Sequence, residues 1–262
     1  MSTNATKDGF VLPPVKNVPI YRPLVWLRKG WDDYWRAWHV SAAHGLLAAV
    51  FGLALLLIAH GNFFLLSGAF SGFLLVGPIM CTGLYEVSRR LERGEEPGFA
   101  EAFGAWKRGV MPMVGLGLIL AVVGTFWVML SSVLIALLVQ APIIGLEGFI
   151  RHVVLSQGSY LFIVWLALGG LIAALVFAAC VVSVPLMLER DIDLQSATLT
   201  SLMVVSENPI AMALWATLIM VITVLGMATL MVGLIPAVPI IGHATWHAYR
   251  DAVDASGIQE RL

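Results

Sequence analysis

The stretch VMPMVGLGLILAVVGTFWVMLSSVLIALLV, Val110 to Val139, decides the fold. It runs thirty residues without an Asp, Glu, Lys or Arg. A hydrocarbon core about 30 Å thick takes roughly 20 helical residues to cross. Backbone N–H and C=O groups there find no water, and a helix satisfies them internally. The stretch therefore reads as a transmembrane helix. Similar runs lie on either side: Ala42 to Ala59, Phe63 to about Tyr85, Tyr160 to Leu188, and Pro209 to about Tyr249. The last of these has 41 residues, about 60 Å of helix at 1.5 Å per residue. That is too long for one span and enough for two with a tight reversal, for which Gly226, Gly233, Pro236 and Pro239 offer breaks.

Composition agrees. The chain of 262 residues is 60% hydrophobic and 12% charged, where an average protein carries about 25% charged residues. Its mean hydropathy is +0.91. The expected fold class is all-α: a polytopic membrane bundle of about six transmembrane helices, with hairpins about 42–85, 110–188 and 209–249. The formal net charge of -1 gives no reason to expect nucleic acid as a partner. Cys81 and Cys180 both fall inside apolar runs, where they read as small packing residues rather than a disulfide framework.

Basic residues orient the spans, because cytoplasmic segments collect Lys and Arg. With six spans and the amino terminus inside, fourteen of the 15 Lys and Arg are cytoplasmic and only Arg151 is outside. Five spans would also export Arg250 and Arg261, which favours six with both termini in the cytoplasm. Residues 1–25 are polar and carry Pro13, Pro14, Pro19 and Pro23, so they read as an extended or disordered cytoplasmic tail without a cleavable signal. Residues 253–262 read as a second cytoplasmic tail, leaving 26–252 as the membrane domain.

A repeat is visible inside that domain. The second run contains Gly77-Pro78-Ile79-Met80 and reaches Arg89 eleven residues after its proline. The last contains Val238-Pro239-Ile240-Ile241 and reaches Arg250 eleven residues after its own. The fourth contains Val184-Pro185-Leu186-Met187 and turns charged at Glu189. What precedes each odd-numbered span also repeats. Trp31, Trp35 and Trp38 share one helical face, with Asp32, Asp33 and Arg36 off it. Phe99, Phe103 and Trp106 repeat the spacing, and Leu199 with Leu202 form a weaker third copy. A helix with an aromatic face and a charged back beside a span lies in the interface plane. The reading is three copies of one unit, an interfacial helix (about 26–40, 97–108 and 194–207) followed by a helical hairpin. Two spans per unit point all copies the same way, as a pseudo-threefold axis along the membrane normal would relate them.

Ionisable residues inside a bilayer are the default functional candidates, and the predicted spans hold none near mid-membrane. That weighs against a proton pump or an ion-coupled carrier. Glu86 with Arg89 and Arg90 has the spacing of an intrahelical ion pair, and reads either as a lipid-phosphate or partner site or as a span-ending charge cluster. His243 and His247 share a helix face at a spacing that two metal ligands can use, but no third ligand stands near and no Glu follows His243. Trp246 and Tyr249 beside them read as interfacial anchors, like Trp31, Trp35, Trp38, Phe99, Phe103 and Trp106. Haem held between helices needs axial ligands at matched depth; His44 and His243 both fall toward the cytoplasmic side, but nothing in the sequence fixes them opposite each other, and no cofactor is expected. Pro78, Pro185, Pro236 and Pro239 are candidate helix breaks that free carbonyls to line a cavity. No phosphate loop, catalytic carboxylate pair, nucleophile elbow or thiol pair is present.

At Gly77-Pro78-x-x-x-x-Gly83-Leu84-Tyr85-Glu86-x-Ser88-Arg89-Arg90 the chain resembles a bacterial family of integral membrane proteins, domain of unknown function 2189. The ending Gly242-His243-Ala244-Thr245-Trp246-His247-Ala248-Tyr249-Arg250-Asp251 is similar to the same family. The resemblance covers about residues 20 to 252. It implies the inner membrane of a Gram-negative bacterium and about six spans, and it implies no activity. The functional expectation is a non-enzymatic accessory or assembly partner of a membrane complex, in contact with membrane lipid and with other membrane proteins or a second copy. The alternatives are a transporter or channel for a lipid or small neutral solute, whose path the prolines would line, and a metal- or haem-binding redox protein.

Overall fold

The structure, a computed structural model, describes residues 5–7, 10–59, 77–107, 110–139, 145–156 and 160–261. The chain is an all-α membrane protein. Four helices among the described residues are long and apolar enough to cross a membrane: Trp38–Ile58, Met111–Leu138, Leu161–Glu189 and Pro209–Ala228. The expected second span, Phe63 to Tyr85, lies largely outside the described residues.

Two compact units form. One gathers residues 50–77 and 117–176. Its core is Ile135, Phe149, Val153 and Leu161. Trp165 stands among the rings of Trp127, Phe149 and Phe162 and donates its indole N–H to Ser131 Oγ at 2.6 Å. The other unit gathers residues 1–49, 78–116 and 177–262, and it contains the sites considered below.

Along the chain, the aromatic-faced helix before the first span is α1, Arg22–Arg36. The first span is α2, Trp38–Ala59. After the expected second span comes α3, Thr82–Glu92, and the next aromatic helix is α4, Phe99–Gly104. The thirty-residue stretch forms α5, Val110–Leu138. After the short α6, Gly145–Phe149, comes α7, Leu161–Cys180. The chain breaks at Val181 and Val182 and resumes as α8, Ser183–Glu189. The last three helices are α9, Leu194–Glu207, α10, Pro209–Ala228, and α11, Leu234–Ala252.

The long final stretch is thus two helices. They pack on each other and reverse through residues 229–233. The turn passes through Leu230 (φ 53°) and Met231 (φ 69°), in the left-handed region that side chains disfavour. Thr229 Oγ1 donates to the Gly226 carbonyl and accepts from Gly233 N–H, both at 2.8 Å. A Cβ on Gly233 would come within 2.8 Å of Gly226 Cα, so both glycines are needed where the helices turn together.

The four prolines differ in effect from the sequence reading. Pro185 and Pro236 are the third residues of α8 and α11, in a first turn where the missing N–H has no helical partner to lose. Only Pro239 sits inside a described helix, which leaves the Ile235 carbonyl free. Gly45 of α2 packs its backbone directly against that carbonyl, a close approach that supplies a weak Cα–H contact. At the α7–α8 break, the buried backbone N–H of Val182 donates to Ser201 Oγ at 3.1 Å. Pro185 and Pro239 are buried among side chains, Pro78 is half-buried and Pro236 is exposed. None of the four lines the cavity described below.

The chain ends are tied down. Strands β1, Ala5–Lys7, and β2, Phe10–Leu12, pair antiparallel. Lys16 N–H donates to Ala252 O, and Asp254 N–H donates to Pro14 O. Val18 N–H donates to the Asn208 side chain at 2.7 Å. Within the segment read as an extended or disordered tail, Pro14, Lys16 and Val18 bond to the end of α11 and the start of α10, and α1 begins at Arg22. The other tail folds back likewise, Asp191 N–H donating to Gln259 O and Arg261 N–H to Glu189 O.

The helix contacts are cyclic. α4 packs on α3, α9 packs on α8, and α1 packs on α11. Each aromatic or apolar helix leans on the helix that precedes it, which carries or follows a proline, with the first leaning on the last. The helices α3, α8 and α11 also touch one another in every pairing. Gly30 sets the closest of these contacts. A Cβ there would meet Ile240 O at 2.5 Å and Ala244 N at 2.7 Å.

Candidate functional site

Helix α1 presents Trp31 and Trp35 outward, and Trp38 at the start of α2 continues the exposed row. Phe99, Phe103 and Trp106 are exposed as well. The two rows meet where His39 packs on Phe99 and His44 stacks on Phe103. The opposite face of α1 is not a charged back turned to water. It carries Trp26, Gly30, Asp33 and Tyr34, all buried. Asp32 and Arg36 remain exposed, whereas Asp33 is 5% exposed.

An isolated buried carboxylate costs several kcal/mol unless its oxygens are bonded. Asp33 Oδ2 accepts from Ser88 Oγ of α3 and lies 2.8 Å from each of Ser88 Oγ and His247 Nε2 of α11. Ser88 Oγ is 2.8 Å from His243 Nδ1, and His243 Nε2 is 2.9 Å from Ser41 Oγ of α2. The other nitrogen of His247 lies 3.6 Å from Glu92 Oε1, and Glu92 Oε2 lies 3.2 Å from Arg250 Nε. A single buried chain of polar groups therefore joins α1, α2, α3 and α11. Burial pushes the Asp33 carboxyl up, but the His247 bond, the nearby His247 and His243 rings and the Ser88 hydroxyl outweigh it and hold it below the usual aspartate value. Burial raises Glu92 too, and His247 and Arg250 hold it low.

This network bears on two sequence assignments. His243 and His247 share a face, and three of their four ring nitrogens lie within hydrogen-bond distance of Ser41, Ser88 and Asp33, while the fourth is 3.6 Å from Glu92, so the pair helps to lock the helices together. Among the described residues no group of three or more His, Cys, Asp or Glu is placed to hold a metal. Trp246 and Tyr249, read as lipid-facing anchors, are fully buried. Their rings pack edge to face at 5.4 Å, and the Tyr249 hydroxyl donates to Glu189 Oε2. They face inward because α11 is covered by α1, α3, α8 and α10.

The expected cluster at the end of the second span does assemble. Arg89 donates to both oxygens of the buried Glu86, from Nε at 2.7 Å and from the terminal nitrogen at 2.9 Å, and Arg90 Nε donates to Oε1 at 2.9 Å. This geometry is a bidentate clamp. Beside it opens a cavity of about 510 Å³ whose nine lining residues are all charged. Lys29 comes from α1, and Arg89, Glu92 and Arg93 from the end of α3. Glu189 and Arg190 come from the end of α8, Arg250 and Asp251 from α11, and Glu260 from the carboxyl-terminal tail. Cations in the last turns of three helices oppose their carbonyl-end dipoles.

The carboxylates are shared out. Glu189 receives Tyr249, Arg190 at 3.2 Å and Arg250 at 3.4 Å. Asp251 pairs with Arg22 and accepts from Trp26 Nε1 at 2.6 Å. Glu260 pairs with Arg93 at 2.8 Å and approaches Arg190 at 3.8 Å. Lys29 has no ion pair among those the described residues form. Sequence reasoning found Glu86, Arg89 and Arg90 but missed Asp33, Ser41, Ser88, Glu92, Glu189 and Glu260. A signal for Asp33 was present: Gly30 and Ala37 share its helical face, and small residues around a lone acid mark a face that packs closely.

The region holding Glu86 and Arg89 is also where known sequences match. Residues 65–189 fit the model of DUF2189, described as a predicted integral membrane protein. That segment is similar to this family. The match ends at Glu189, the last residue of α8, and takes in Gly77-Pro78 and the Glu86–Arg89 clamp, while His243 and His247 lie beyond it. No curated protein and no solved structure matches the chain.

Proposed function

We propose that the protein is a non-enzymatic accessory or assembly partner of a larger membrane complex, with six spans and both termini in the cytoplasm of a bacterial inner membrane. The observation that carries this reading is the burial of Pro185 and Pro239. A transport path along them would leave a cavity there, and both are buried. Their sequence neighbours Val184, Leu186, Met187 and Ile240 are buried as well. The outer surface offers contacts instead. On α7, Gly170, Ala173 and Ala174 are exposed one helical turn apart, and a Cβ on Gly170 would meet nothing within 4 Å. Small residues on a span let a second helix approach closely. The exposed aromatic rows suit the headgroup layer. The cyclic docking of α1, α4 and α9 supports a threefold arrangement of repeated units.

The test is purification from the native membrane in mild detergent, with mass spectrometry of what co-purifies. The expected result is a reproducible, stoichiometric membrane-protein partner. A lone monomer, together with uptake of a neutral solute or lipid by reconstituted vesicles, would overturn the reading in favour of transport. A reporter fused after Leu262 is expected to read out on the cytoplasmic side. A periplasmic signal would refute six spans.

A further inference from the structure

We infer that the charged cavity is a binding site for a phosphate group, and that Glu260 of the carboxyl-terminal tail occupies the anion's place in the present conformation. Three carboxylates of the lining, Glu92, Glu189 and Asp251, are built into the helix frame and have partners on it. The fourth, Glu260, is different. It comes from the tail, is 45% exposed at its side chain, and makes its ion pairs only with Arg93 and Arg190. Leaving it aside, five cations face three carboxylates, an excess of two positive charges that matches a phosphate dianion. Arg93 and Arg190 would bind through planar donor forks, which suit phosphate oxygens, and Lys29 lines the same cavity without a carboxylate partner among the described residues. The helix carbonyl ends that converge here would repel an anion, but their last-turn arginines already offset that field.

Glu260 is a weak occupant. Exposed ion pairs contribute little, because water screens them and two flexible side chains must be ordered. An anion of twice the charge, held by the same arginines, displaces it. The tail is otherwise fixed by backbone bonds, Asp191 N–H to Gln259 O and Arg261 N–H to Glu189 O, so displacement asks only the Glu260 side chain to swing out. A lipid phosphomonoester and free inorganic phosphate present the same group, and the assay separates them. Such a site operates whichever protein the chain assembles with.

The experiment is titration calorimetry on the full-length protein in detergent, with inorganic phosphate and with short-chain phosphatidic acid as separate probes. Glu260→Gln is expected to tighten binding of at least one probe by about threefold or more, the change expected when a weak competing ion pair is removed. Adding Arg93→Gln to that variant is expected to weaken it again by about tenfold. Arg93 is 39% exposed at its side chain and pairs only with Glu260 among the described residues, so this change spares the fold, and an unaltered melting point checks it. Equal binding of both probes identifies free phosphate as sufficient, and binding of phosphatidic acid alone identifies a lipid headgroup. Either result supports the site. If neither probe binds the Glu260→Gln protein, or if binding is indifferent to both substitutions, the inference is wrong.

Discussion

Replacing Asp33 tests the buried chain that joins the first helix to the last. Its Oδ2 atom meets Ser88 Oγ and His247 Nε2, each at 2.8 Å. Hydrogen bonds to a charged group contribute about 1.5–3 kcal/mol each, and removing one side of a buried pair costs about 3–5 kcal/mol because the partner stays buried. Asp33 is only 5% exposed, so solvent does little to soften that cost. Asp33→Ala should therefore lose about 3–5 kcal/mol, a fall in melting point of roughly 10 °C for a protein of this size. Asp33→Asn keeps an oxygen for both donors and loses the charge, so its cost should be about 2 kcal/mol. Thermal unfolding in detergent, followed by tryptophan fluorescence, measures both. The pH dependence adds a check of sign. Asp33 titrates lower in the folded protein than in the unfolded chain. Its contribution is present above the unfolded value, about 3.9, and disappears as pH falls through the lower folded value. The gap between the native protein and Asp33→Asn should then close as pH drops below about 4. Glu92, also held low, leaves an acid limb in both proteins. Native-like stability of Asp33→Ala, or a gap that widens in acid, would refute the account.

Gly30→Leu should destabilise by about 1–3 kcal/mol or more, since its Cβ would strike the backbone of Ile240 and Ala244, which cannot rotate away. Gly170→Ala, with open space around it, should be neutral or stabilising by up to about 1 kcal/mol in the same melting assay. Single-tryptophan versions carrying Trp31 or Trp38 should be quenched by lipid brominated near the headgroup, while one carrying Trp26 or Trp215 should not, because the first pair is exposed and the second fully buried. Equal quenching of both pairs would contradict the placement of the aromatic row. Glu189→Gln should leave Tyr249, Arg190 and Arg250 with a neutral partner and cost about 1–2 kcal/mol in the same melting assay.

The spans were legible because the bilayer imposes one rule on every residue of a crossing helix. Val110 to Val139 declares itself by composition alone, and α5 follows it to within a residue. The inward side of α1 was not legible in the same way. A helix with tryptophans on one face and acids on the other obeys the pattern of an interfacial helix, and Trp31, Trp35 and Trp38 are exposed. The pattern cannot tell that Asp33 turns inward while Asp32 turns out. That depends on Ser88 and His247, 55 and 214 residues away. Trp246 and Tyr249 mislead for the same reason. An aromatic pair near basic Arg250 looks like an anchor in any window of local sequence, and only the cover of neighbouring helices makes it core.

The repeated proline endings carry more information than their local effect. Pro185 and Pro236 interrupt no helical bond, because each lies in a first turn. What recurs is the position of the helices that carry or follow the prolines, α3, α8 and α11, which meet one another and receive one amphipathic helix each. In a linear series of three such units the first amphipathic helix has no preceding partner and the last proline helix has no follower. Both deficits vanish if the series closes, and α1 on α11 is that closure. It explains why the most extensive set of polar links in this unit joins residues so far apart in sequence: Asp33 to His247, Arg22 and Trp26 to Asp251, Lys16 to Ala252. It also explains why those links are polar. Apolar packing alone would hold α1 equally well against any apolar helix, since lipid offers it no penalty, whereas a buried carboxylate is satisfied only where Ser88 and His247 stand.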